Sequence, residues 1–141
     1  MGDIESVAHS PRFQTIVAHG VLELLVNTLI EHHCTHGKKI TERTRDYPHS
    51  VKLVLLHEKG LIDDLDYKVI DAFRDLRNKA VHGAQFEVTT EGLKPFTDVF
   101  SMGNLLPLND PKYYTHLCGS LVFGLWNKHV TLFHKYFEEG N

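Results

Sequence analysis

The stretch Phe73-Arg74-Asp75-Leu76-Arg77-Asn78-Lys79-Ala80-Val81-His82-Gly83 decides how this chain is read. Its apolar positions continue a spacing of four, four, three and four through Leu65, Val69, Phe73, Leu76 and Ala80. That is the period of an amphipathic helix with one buried stripe. Asp63 reads as its N-cap, and Asp64 and Asp66 fall in the first turn, where carboxylates favour the helix dipole. Gly83 stops it. The spacing predicts a helix from Asp64 to about Val81.

Arg77 lies at the edge of the apolar stripe, where an unpaired charge is expensive. It therefore wants a carboxylate, helix-end carbonyls or a ligand phosphate. Glu23 is the first candidate carboxylate and Glu31 the second. A competing account puts Glu23 in an ordinary solvent stripe with His19 and Asn27. Arg77 and His82 are five residues apart, about 140° round the helix and about 7.5 Å along it. They bracket a face that holds Arg74, Asn78 and Val81. Arginine clamps phosphate through a fixed fork of donors, and histidine moves protons near neutral pH. The plainer alternative is a structural arginine beside a helix-capping histidine.

Working outward, Ser10-Pro11 reads as a helix start, with Ser as N-cap and Pro in the first turn. The helix is expected from Arg12 to about His36, ended by Gly37. His19, Glu23, Asn27 and Glu31 recur every four positions, and nearly everything else in it is apolar. Such a helix is buried on more than one side, which in a small domain points to a partner chain and a homodimer. Lys38 to Asp46 reads as a loop. A second helix runs from Pro48 or Ser50 to Lys59, closed by Gly60. Residues 83–111 read as irregular, with a strand-like alternation over Gln85–Thr90. The last helix is expected from Lys112 to Glu138, with Leu117, Leu121, Leu125, Leu132 and Tyr136 as its stripe. Residues 1–10 read as a loose tail. The sum is one all-α domain: an antiparallel four-helix bundle with an irregular insertion before the last helix.

The bulk numbers fit that reading. A chain of 141 residues with 42% hydrophobic content makes one globular core. No uninterrupted apolar run approaches a membrane span, and the first residues lack a signal pattern, so a cytoplasmic protein without membrane contact is expected. Cys34 and Cys118 read as reduced core residues. The net charge of −3 argues against nonspecific nucleic-acid binding. RNA contact would need a local patch such as Arg74, Arg77 and Lys79. Lys38, Lys39, Arg43 and Arg45 read as a solvated loop. His32 and His36 have ligand spacing but lack a second pair, so no metal and no cofactor is expected. The aromatic residues of the last helix read mostly as core.

Arg77-Asn78-Lys79-Ala80-Val81-His82 resembles the Arg-polar-x3-His motif of the HEPN superfamily, in the Arg-Asn form frequent among members that cleave RNA. The wider runs Leu55–Ile62 and Phe73–Asn78 are similar to the helix-2 to helix-3 passage of HEPN proteins, including those like the mannitol operon repressor. The resemblance covers roughly residues 12–83; the last helix shares only length and apolarity. It implies a metal-independent endoribonuclease, a toxin or defence effector, working as a dimer with both motifs in one cleft. In that scheme His82 handles the proton, Arg77 stabilises phosphoryl charge and Asn78 orients the arginine or binds phosphate. Arg74, Lys79 and Glu23 would support binding, and an antitoxin or regulatory protein would be a partner. The repressor resemblance implies the alternative, a catalytically silent module that acts by protein contact.

Overall fold

The computed structural model describes residues 10–83, 86–89, 91–97 and 111–139. All regular structure among them is helical: α1 (Pro11–His33), α2 (Gly37–Glu42), α3 (His49–Glu58), α4 (Asp64–His82), α5 (Lys94–Thr97), α6 (Pro111–Lys128) and α7 (Val130–His134), followed by a π-helical turn (Lys135–Glu139). The expected tail and most of the tip of the insertion lie outside the described residues. Of the expected strand, Phe86–Thr89 is described, and it forms no strand.

α1 is the common wall of the fold, packed by α2, α3, α4 and α6. Leu22, Val26, Leu29 and Ile30 are fully buried on it. By length and mean hydropathy, 1.4 over its most apolar window, α1 reaches the membrane-spanning range, although the sequence shows no uninterrupted run of that length. Half of that window is buried inside the molecule, so its apolarity serves a core shared among several neighbours.

Contacts between the helices fix their directions. Arg12 at the start of α1 donates to the carbonyls of Ala80 and Gly83 at the end of α4, at 2.8 and 3.0 Å. Thr15 of α1 meets Tyr114 near the start of α6. His19 of α1 meets His49 at the start of α3. α4 thus runs against α1, whereas α3 and α6 run with it. The expected antiparallel order holds for the pairings of α4 alone, because the connection between α1 and α3 doubles back. Part of that return is α2, where a loop was expected. Gly37 opens α2 instead of ending α1. A Cβ there would come within 2.5 Å of the Glu31 backbone, so the glycine permits a close approach.

α4 forms as its sequence dictates. Asp63 and Asp66 make a reciprocal capping box, and Lys128 clamps both carboxylates. Val69, Phe73, Leu76 and Ala80 are buried, but Leu65 is 56% exposed, because the first turn of α4 projects beyond the core. The last helix is interrupted at His129, whose ring contacts the Leu61 carbonyl at 2.8 Å. The break and the π turn change the register, so Phe133 enters the core in full while Tyr136 turns outward. Gly60 closes α3 at φ +74°, a conformation that favours glycine.

Phe73→Ala or Leu76→Ala should cost about 2–5 kcal/mol in urea unfolding, whereas Leu65→Ala should stay within about 0.5 kcal/mol. A large loss at Leu65 would contradict the burial pattern of α4.

Candidate functional site: a cationic pocket between α1, α3 and α4

A pocket of about 280 Å³ opens where α1, α3, α4 and the segment before α3 meet. α1 contributes His19 and Glu23, α3 contributes His49 and Lys52, and α4 contributes Arg74, Arg77 and Asn78. Two of the sequence-derived catalytic candidates, Arg77 and Asn78, therefore share one wall with the binding candidate Arg74, and Glu23 faces the same space. This follows from helical spacing: positions 74, 77 and 78 fall on one side of a helix. Arg77 donates from Nη1 to Asn78 Oδ1 at 3.2 Å, so Asn78 restrains the guanidinium next to it. Among the described residues no carboxylate lies within 4 Å of Arg77, and Glu23 makes no ion pair with it there. Arg74 is held by Asp71 at 3.1 Å, with Asp75 at 3.8 Å.

Two motif-region residues are elsewhere. Lys79 is exposed and borders a different groove, with Asp75, Thr89 and Glu91. His82 is exposed on the last turn of α4 and does not line the pocket. One chain alone therefore does not bring Arg77 and His82 together in this pocket.

The floor of the pocket went unread in the sequence. Lys52 is 1% exposed, and among the described residues it has no hydrogen-bonded or ionic side-chain partner. His19 is 4% exposed; it is not on a solvent stripe. Its ring contacts that of His49 at a centroid distance of 4.8 Å, edge to face, and stacks on Phe73 at 6.5 Å. His19 Nε2 and both ring nitrogens of His49 are buried without a hydrogen-bond partner. Buried polar atoms left unpaired are costly, and three of them line one pocket beside the Lys52 side chain. A signal did exist: Lys52 interrupts the stripe His49, Leu53 and Leu56, of which Leu53 and Leu56 are buried. A lysine on a buried stripe is an anomaly worth following.

Electrostatics agree with the geometry. Burial holds His49 down, to a pKa of about 3, with His19, Lys52, Arg74 and Arg77 adding repulsion. His19 is also lowered, chiefly by burial; Glu23 opposes this, and Arg77 and Arg74 reinforce it. Both rings are neutral near pH 7. Elsewhere, among the described residues, no group of three or more His, Cys, Asp or Glu side chains is placed to hold a metal. His32 packs against His33 and Tyr136 as an aromatic contact.

No family model, no curated protein and no solved structure matches this chain.

The two depressed histidines of the pocket contribute to the acid response, as does His33, which burial also lowers. Below pH 6.5 the unfolded chain protonates histidines that the folded chain keeps neutral, so stability is lost as pH falls toward about 3. The slope is up to about 1.4 kcal/mol per pH unit for each such histidine. Urea unfolding at about pH 5 and about pH 7 should show this loss, and His49→Gln should flatten it. An unchanged slope in the variant would show that His49 titrates normally.

Proposed function

We propose that the chain is a HEPN-type, metal-independent endoribonuclease that acts as a homodimer. The observation that carries this reading is the pocket wall on which Arg77, restrained by Asn78, faces a space lined by Lys52 and Arg74. A guanidinium without a carboxylate, in a partly dry cleft, is suited to charge growing on phosphoryl oxygens. The ribose 2′-oxygen would attack the adjacent phosphorus. One copy's His82 would accept the proton of the attacking 2′-hydroxyl, the phosphorus–5′-oxygen bond would break, the leaving oxygen would take a proton from the partner's His82, and a 2′,3′-cyclic phosphate would remain. Proton transfer of this kind is worth about 10²–10⁴ in rate.

A second copy of the chain supplies what one chain lacks. Phe13, Ile16, Val17, Val21 and Leu24 form an exposed apolar face on α1, each 37–52% exposed. Gly20 lies on the same face with open space around it. Because Arg12 meets Ala80 and Gly83, this face runs beside the end of α4 that carries the motif. A partner docked there would bring two copies of Arg77 and His82 toward one groove. An RNA-cleaving toxin or defence effector, restrained by an antitoxin, would use such a dimer. One observation favours the alternative of a silent module acting by protein contact: His82 lies outside the pocket of its own chain.

A labelled single-stranded RNA separates the two. Cleavage should persist in EDTA and yield a 2′,3′-cyclic phosphate and a 5′-hydroxyl. Arg77→Ala, Arg77→Lys and His82→Ala should each abolish it, since they serve one transition state. His82→Ala should leave the melting temperature within a few degrees, because the residue is exposed. Equal cleavage by wild type and His82→Ala would expose a contaminant and leave the binding module as the better reading.

A further inference from the structure

From the floor of the pocket we infer that Lys52, His19 and His49 form a seat for a tetrahedral dianion, the terminal phosphate of a phosphomonoester, which is bound together with a proton. The seat does not depend on RNA cleavage and would stand if the chain cleaves nothing. The Lys52 side chain is 1% exposed, lines the pocket and has no ionic or hydrogen-bonded partner among the described residues, and His19 is nearly as buried with Nε2 unbonded. Both line the pocket beside His49, Arg77 and Asn78. An ammonium carried on a buried stem and facing a pocket without a counter-charge is poorly compensated. A ligand anion offers the missing partner, and its oxygens accept from the donors that the floor presents.

The charge count couples a dianion to a proton. The groups facing His49 are His19 and Glu23 from α1, Lys52 from its own helix, and Arg74 and Arg77 from α4, with Tyr47 beside them. Arg74 already has its carboxylates. Lys52 and Arg77 therefore stand against Glu23, which leaves one positive charge. A dianion needs one more, and a proton taken up by His49 or His19 supplies it. Without the anion, burial and the neighbouring cations keep both rings neutral; a dianion reverses the local field and favours the imidazolium. The pocket volume of about 280 Å³ leaves room beyond the phosphate for the group that carries it.

Calorimetry at low ionic strength tests this, with sulfate as a dianion whose charge is constant across the range. Sulfate should bind at one site per chain and about tenfold more tightly for each pH unit lost between about pH 8 and about pH 6, with a net uptake of protons. Inorganic phosphate should compete with it. A 5′-phosphorylated oligoribonucleotide that outcompetes its 5′-hydroxyl counterpart would assign the phosphate to an RNA end; equal competition by the two would assign it to a small phosphomonoester. Lys52→Met should lose sulfate binding by at least about tenfold and melt at a higher temperature, since it removes an unpaired buried charge. His49→Gln should weaken the pH dependence. Failure of sulfate and phosphate to saturate wild type at any of these pH values would overturn the inference. So would unaltered binding by Lys52→Met. Anion binding without RNA cleavage would refute the ribonuclease reading alone.

Discussion

α1 has to satisfy neighbours on several sides at once, and the rest of the molecule is arranged around that demand. Leu22, Leu25, Val26, Leu29 and Ile30 each have about 1% exposure or less, so removing any covering helix would return a large apolar area to water at about 25 cal/mol per Å². The helices that cover α1 are not equivalent. α4 runs against it with a guanidinium bridge at one end, whereas α3 and α6 run with it. Because α3 meets α1 near its middle, a wedge of space is left between α1, α3 and α4, and this wedge is the pocket. The polar floor of the pocket interrupts the shared core with His19 and Lys52.

That interruption explains which parts of the molecule could be read from sequence. α4 was legible because its period, its Asp63 cap and its Gly83 stop agree with one another, and local agreement across levels fixes an element. The Arg74, Arg77 and Asn78 wall was legible for the same reason, since spacing along a helix places its side chains. The pocket floor was not. His19 belongs to a four-residue polar series that looks like a solvent stripe, and only the arrival of α3 buries it. His49 and Lys52 belong to a ten-residue helix too short for its faces to be assigned without its neighbours. Gly37 looked like a helix stop, yet its role is a close approach between segments. The break at His129 coincides with a tertiary contact to Leu61, which no local pattern encodes.

The charges of the site divide into two kinds. Arg74 and Lys128 are held by carboxylates and contribute to order. Lys52 and Arg77 are not so held among the described residues, and they converge on the pocket. Preorganised cations cost stability when the site is empty and recover it when an anion arrives, which is how folded-state free energy is turned into ligand binding. The neutral histidines next to them can respond to that anion by taking a proton. A phosphate-directed site would hold its donors in this way, whether it cleaves a phosphodiester or only binds phosphate.

The central claim is that the wedge between α1, α3 and α4 is where this protein meets a phosphate. Histidine side-chain nitrogen NMR reads it directly, during titration with a 5′-phosphorylated oligoribonucleotide whose 2′-hydroxyls are methylated to prevent cleavage. The His19 and His49 resonances should move together and in saturable fashion, with one of the rings becoming imidazolium while the surface histidines His32 and His134 stay in place. Shifts confined to surface histidines, with His19 and His49 unmoved at saturating oligonucleotide, would contradict the account.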